Sequence, residues 1–446
     1  MRTPWAAVLI AGAIVAAHGG AVRGAFHYDD MPTVSDNLAI RTFQPLVYLT
    51  SPSAATAEPG SAGFRPVTVL TFAGNYALGR LVPAGYLAVN LVLHALIAWM
   101  VFVTGRTLLR DDAWALFAAL VYAVHPLNAE SVNYVVARSS LLAALGSLVT
   151  VWAFFRRRAG GGWWWTGVSV AAFVMALLSK ESGVAVLIPL AAAVVMDPVA
   201  GAPRHRRKAS EIVREAWQAL WPYGIAASLY LVAWWLVAGA HAEQHGRAAA
   251  YPVWAFAEIV GRSMLLWVWP WPLGLDHPVA FASGFSAWTA GWLAAWLAVL
   301  IGAALVYRTR RPIVSWCLLW ALAGLVPLAP LPWITVKGLM QENRMVFSAI
   351  ALAWLTAVVA RETLSAYHRA ASARRWAVCD RLVRGGAMAS AVVVLIAAAA
   401  MDRARSAVWA DDARLWREMV ARSPESRTGY TNLGAAYMAR NEYDRA

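Results

Sequence analysis

Apolar runs close to bilayer-spanning length recur from residue 4 to residue 401, and no other feature leaves so few folds open. A helix crosses the hydrocarbon with about 20 apolar residues, and in lipid every backbone polar group must find its partner within the chain. Spans are expected at 4–22, 83–104, 113–127, 139–155, 163–179, 182–196, 217–238, 288–307, 313–332, 345–360 and 385–401. The chain is therefore expected to be an all-α polytopic membrane protein with about 11 transmembrane helices. Its 60% hydrophobic and 14% charged residues lie outside the range of soluble globular domains.

Loop charge orients these spans. Basic clusters lie at Arg106/Arg110, Arg156 to Arg158, Arg204/Arg206/Arg207/Lys208, Arg308/Arg310/Arg311 and Arg361 through Arg384. All fall on one side if the N-terminus is cytoplasmic and 254–275 does not cross, as the positive-inside rule prefers. That arrangement places Asp29-Asp30, 125–138, Lys180-Glu181, 239–287, Glu342 to Arg344 and the C-terminal tail outside. The net charge of +14 is mostly this cytoplasmic collar. Charge dispersed over loops, with no recognition motif, argues against nucleic acid as a partner. Residues 1–22 have signal-peptide features but are expected to remain as an anchor, and either reading leaves Asp29 outside. Cys317 and Cys379 form no disulfide or metal pattern.

Two domains are expected: a transmembrane catalytic domain, 1–401, and a soluble outside segment, 402–446. Within the first, loop 23–82 has a Ser/Pro/Ala/Gly-rich middle at 51–63 and a surface helix at 67–79. The stretch 254–275 carries Trp267, Trp269 and Trp271 beside Pro270 and Pro272, which suits a re-entrant or interfacial element better than a span. Residues 430–446 match the first helix and turn of a tetratricopeptide repeat, broken off within the unit, so the natural protein is expected to continue.

The polar residues that carry chemistry crowd the outer rim. Asp29 and Asp30 follow the first span directly, in Phe26-His27-Tyr28-Asp29-Asp30, where acids are costly to hold without a purpose. In His125 to Arg138, Glu130 and Arg138 lie eight residues apart, about 12 Å along a helix, so Glu130 is a candidate to hold Arg138 against a phosphate. An ion pair that merely fixes a helix end is the alternative. His125 before Pro126 reads as an interfacial residue. Lysine occurs only at 180, 208 and 337. Lys180, next to Glu181, suits a phosphate, whereas Lys337 suits snorkelling. Glu342-Asn343-Arg344 adds a carboxylate and another phosphate-capable arginine. Asn90 and His94 suit interhelical hydrogen bonds. No glycine-rich phosphate loop, HExxH pair or nucleophile elbow is present, which leaves a polar head group carried on a lipid as the natural ligand.

Four stretches together resemble the GT-C membrane glycosyltransferases, and most closely the transmembrane-and-TPR O-mannosyltransferase group with its bacterial relatives. They are Tyr28-Asp29-Asp30 with Asn37; Phe64-Arg65-Pro66 through Asn75-Tyr76 to Gly85-Tyr86, Asn90 and His94; His125-Pro126 through Glu130, Tyr134 and Arg138; and Ser179-Lys180-Glu181. Glu342-Asn343-Arg344 stands where the family has a Glu-Arg-Tyr-like element, with Asn and Met beside the arginine.

The resemblance implies a polyprenyl-phosphate sugar donor, probable mannose being replaced by no sequence signal for another sugar, and a catalytic acid in the first outside loop. Asp29 is expected to act as base in one inverting displacement onto a Ser or Thr hydroxyl, with Asp30 orienting it or the acceptor. Arg65, Arg138, Lys180 and Arg344 are expected at the leaving phosphate, supported by His125, Glu130, Glu181 and Glu342. No cofactor is required, and a divalent metal is possible without being indicated. The expected setting is a bacterial inner membrane with site and tail on the periplasmic side, or an ER membrane with a lumenal site in a eukaryote. A tetratricopeptide array would hold the polypeptide acceptor. The rival functions are a transporter or flippase for a lipid-linked sugar and a non-catalytic TPR scaffold.

Overall fold

Residues 3–58, 63–199, 208–239, 253–275, 277, 285–308, 312–328, 340–373 and 377–445 are described by a computed structural model, and among them no strand occurs. Lys337, Arg204, Arg206, Arg207, Arg310, Arg311, Arg374 and Arg375, which figured in the sequence reading, lie outside the described residues.

Local sequence explains where the helices start and bend. Pro66 and Pro83 occupy first helical positions, where a missing N–H costs nothing. They open α1 (Pro66–Gly79) and α2 (Pro83–Leu109). Asp111 caps α3 (Asp112–Val124) by accepting from the amides of Ala113 and Trp114. Pro126 then ends that helix, because it has no N–H to donate and pushes His125 into an extended conformation. The chain turns by 51° between 112–124 and 126–133. The break leaves the Ala123 carbonyl inside the bundle, where His18 Nε2 and His94 Nε2 each approach it at 3.0 Å.

Each expected span coincides with a helix, but not all have spanning length. Among the described residues seven helices are long and apolar enough to cross a membrane, or eight if the bent 112–133 pair counts as one span. The apolar helices Trp164–Ser179, Glu181–Met196 and Pro312–Ala323 are shorter. The expected surface helix is α1, and the tryptophan-rich segment forms a 16-residue helix, Val253–Val268, that is not among the spanning candidates.

The expected boundary after Met401 falls inside a helix. The last apolar helix runs from Ala377 to Trp409, and Asp402, Arg405 and Ser406 are buried within it. Asp412–Arg422 and Arg427–Ala439 follow and pack on each other. Trp409, Leu415, Trp416 and Ala436 join Tyr134 and Ala137 in one apolar cluster, so the tail is built into the rim of the bundle.

Candidate active site

Asp29 and Asp30 are neighbours with opposite surroundings. Tyr28 has a positive φ of 46°, an uncommon conformation for a large side chain that turns the loop sharply. Asp30 is fully buried, and its two oxygens accept from the backbone amides of His27 (3.0 Å) and Val136 (2.8 Å). Burial nevertheless pushes its pKa up to about 7, against the pull of those amides and of His27. Asp29 is only half-buried. Its backbone amide donates to the Tyr134 hydroxyl at 3.1 Å.

Three of the four cations expected at a phosphate come together beside it. Arg65 grips Glu181 with both arms of its fork, at 3.1 and 2.7 Å, while its side chain stays 34% exposed. The Glu181 charge raises the Arg65 pKa, and Asp29 adds to the effect, so Asp29 and Arg65 share one electrostatic field. Burial lowers the Lys180 pKa to about 7, and the charges of Arg65 and Arg344 lower it further. Arg344 is half-buried and directs Nε and Nη2 to Gln341 Oε1.

Lys180 also heads a chain of hydrogen bonds. Its Nζ donates to Ser140 Oγ (2.7 Å), and Ser140 donates to Asn343 Oδ1 (3.1 Å). Asn343 in turn gives its side-chain and backbone N–H to the two oxygens of buried Glu130, at 2.5 and 3.1 Å. Glu342 is buried as well, and its Oε1 accepts from the Gly274 amide (2.6 Å) and meets His277 Nε2 at 3.0 Å. Buried carboxylates are thus used to fix loop geometry on either side of Asn343.

Arg138 is placed apart from these cations, which departs from the expectation that Glu130 would aim it at phosphate. The helix assumed to connect Glu130 with Arg138 is interrupted at Tyr134, which has an extended backbone. Arg138 is fully buried and donates to Asn90 Oδ1 (3.0 Å), Thr71 Oγ1 (3.3 Å) and the Tyr86 carbonyl (2.8 Å). Its guanidinium lies 4.7 Å from the Phe72 ring centre and 5.6 Å from that of Tyr86. These partners make it a tie between α1, α2 and the helix it opens. His125 also turns inward, stacking at 4.0 Å on Trp267 with Nε2 2.8 Å from the Trp267 carbonyl.

Sequence reasoning overlooked His27, Ser140, Asn343 and Gln341. A polar His27 directly ahead of the acids was the one available signal. Ser140 sits inside an apolar run and reveals itself only through Lys180. Among the described residues no group of three or more His, Cys, Asp or Glu side chains is placed to hold a metal ion.

No family model matches the chain. In sequence it is similar to the protein O-mannosyl-transferase Tmtc1 of Drosophila melanogaster, at 31% identity over 182 residues, 40% of this chain and 21% of that protein. It is 30% identical to the protein O-mannosyl-transferase TMTC3 of Homo sapiens over 186 residues, 40% of this chain and 20% of the other. The match to human TMTC4 is 31% over 208 residues, covering 41% and 28%. The matched stretches span about a fifth to just over a quarter of these relatives' length.

Among solved structures, ArnT from Cupriavidus metallidurans bound to undecaprenyl phosphate superposes with a TM-score of 0.51 and 14% identity, over 94% of this chain and 81% of ArnT. The chain has a GT-C fold. An Archaeoglobus fulgidus oligosaccharyltransferase tethered with an acceptor peptide gives 0.50 and 15%, over 97% and 59%. This likeness accounts for the multi-pass helical bundle, while function in a GT-C fold still has to be argued from the site.

Proposed function

We propose that the chain is a membrane glycosyltransferase that moves a sugar, mannose by analogy with its relatives, from a polyprenyl phosphate to a Ser or Thr hydroxyl of a polypeptide. The observation that carries this reading is the half-buried Asp29 carboxylate in the same electrostatic field as Arg65, beside Lys180 and Arg344. A proton acceptor and a set of cations for a leaving phosphate are what such a transfer needs. Similarity to O-mannosyl-transferases and the fold shared with ArnT support the substrate classes.

In the proposed reaction the acceptor oxygen attacks the anomeric carbon while Asp29 takes its proton. The bond from that carbon to the phosphate oxygen breaks with inversion, and polyprenyl phosphate departs with the electron pair. Arg65, Lys180 and Arg344 stabilise the growing phosphate charge. Asp30 holds the loop that carries Asp29, whereas Arg138, Glu130, His125 and Glu342 act through the positions of their neighbours. Glu181 orients Arg65. The basic loops argue for a site on the outer face, and the C-terminal helices for delivery of the polypeptide there.

Full-length chain in detergent or proteoliposomes, given undecaprenyl- or dolichyl-phosphate [3H]mannose and a Ser/Thr-rich peptide, tests the proposal. Label on the peptide, sensitive to β-elimination, is the expected result. No transfer from either donor, with the protein folded, would overturn it. Protease access to a tagged tail in sealed vesicles tests the sidedness, and a cytoplasmic tail would refute acceptor delivery.

A further inference from the structure

The loop bearing Asp29 and Asp30 is gripped by a part of the chain nearly 400 residues away. His27 is 1% exposed. Its Nδ1 lies 2.8 Å from Asp412 Oδ1 and its Nε2 lies 2.7 Å from the Trp409 carbonyl. A carbonyl can only accept, and so can an ionised carboxylate, so an imidazolium donating from both nitrogens satisfies the pair. The backbone amide of the same histidine donates to Asp30 Oδ2.

Three ring contacts reinforce the grip. The His27 and Tyr28 rings meet Trp409 and Trp416 edge-on, at 5.7 and 5.8 Å. Trp409 also packs against Tyr134 at 5.6 Å, and the Tyr134 hydroxyl receives the Asp29 amide. Both acids are therefore tied to Trp409 and the helix that follows it, one through His27 and one through Tyr134.

We infer that His27 is a positioning residue, and that Asp412 and Trp409 complete the active site by holding it. The inference rests on the glycosyltransferase reading and deepens it: the segment after the last long helix fixes the base as well as following the bundle. Asp412 does not touch the reacting atoms in this scheme. It acts only by fixing His27, and through His27 the loop on which Asp29 must meet an acceptor hydroxyl.

The test is a set of substitutions in the full chain: Asp412→Asn, Asp412→Ala, His27→Ala, and the His27→Ala/Asp412→Ala pair. Asp412 also accepts from Trp416 Nε1 at 2.9 Å, so Trp416→Phe serves as the control for that bond. Asp412→Ala and His27→Ala are expected to lower kcat by about 10- to 100-fold, the scale of a misplaced catalytic group. Donor KM should stay within about twofold, because the phosphate-facing cations are untouched. Asp412→Asn, which keeps an acceptor, should lose about 3- to 10-fold by the same reasoning, and Trp416→Phe should be close to wild type.

The double variant should be no worse than His27→Ala, since both changes cut one connection. Losses that multiply in the double variant would overturn the inference, as would wild-type kcat in Asp412→Asn and Asp412→Ala together. If Asp412→Ala does not assemble, wild-type kcat in Asp412→Asn overturns it alone. Hydrogen exchange supplies a readout independent of transfer. The amides of 27–31 should exchange faster in Asp412→Asn while those of α1 stay unchanged, and unaltered exchange at 27–31 would refute the inference. Absence of transfer in the wild type would instead refute the glycosyltransferase reading, leaving the exchange result to decide this one.

Discussion

Replacing Asp29 by asparagine isolates the proton acceptor. The only contact of Asp29 with Tyr134 described above uses its backbone amide, which the substitution keeps. Arg65 remains held by both oxygens of Glu181, so the cationic face persists without the Asp29 charge. The expected loss is therefore that of general-base catalysis, about 10²- to 10⁴-fold in kcat. That corresponds to about 3–5 kcal/mol of transition-state stabilisation, at roughly 1.36 kcal/mol per tenfold. Donor KM should change by less than about threefold, because nothing that faces the phosphate is removed. Transfer of [3H]mannose to peptide under single-turnover conditions, against donor concentration, measures both quantities. Full kcat in Asp29→Asn would refute the assigned base. An unchanged kcat with a raised KM would make Asp29 a binding group, and a dead Asp30→Asn beside an active Asp29→Asn would exchange the two roles.

Asp30→Asn should act on stability in a pH-dependent way. Asparagine offers one oxygen to two backbone amides, which costs about 1–3 kcal/mol for the amide left unpaired. The wild-type carboxyl, raised from 3.8 to about 7, gives its stability below about pH 4 and loses it as pH rises through about 7. His27 slopes the same way: burial opposes its charge, but Asp412 and Asp30 outweigh burial and raise its pKa. Thermal melts from pH 4 to 8 should show wild type falling towards the Asp30→Asn variant, and parallel curves would refute this. Lys180, lowered to about 7, loses its charge as pH rises through that value, so donor KM should climb above pH 7 in wild type and not in Lys180→Arg. A flat wild-type profile counts against a phosphate role. Arg138→Ala should lower the melting temperature sharply, since three buried acceptors lose their donor, while active protein retains its donor KM. A large rise in KM without destabilisation would return Arg138 to the phosphate.

The helical bundle was legible because lipid imposes a local rule: a run of apolar residues must be a helix wherever it lies in the chain. The rule is weaker at the ends. Asp402 and Arg405 look like the start of a soluble tail, yet they stay buried in a helix that reaches Trp409, because partners elsewhere in the fold receive them. His18 Nε2, at 2.8 Å, meets Asp402, and Arg405 bonds Glu418 at 2.8 Å. The cationic rim was legible for the same local reason, since Arg65, Lys180 and Arg344 each adjoin a break between apolar stretches. Arg138 was misassigned because eight residues were taken as one helix, while Asn133-Tyr134 leave the helical path and redirect everything after them.

What no periodicity carries is which break meets which. Glu130 finds Asn343 across 213 residues and His27 finds Asp412 across 385. These distant pairs decide whether an acid at the rim stands ready for a substrate or is consumed as structure. Asp29 and Asp30 have the same chemistry and adjacent positions, and the difference between them is made by Val136 and His27, which take up one and leave the other half-buried. A catalytic carboxylate in such a bundle is thus recognised by the contacts it is spared, and those are fixed only when the C-terminal helix closes over the first loop.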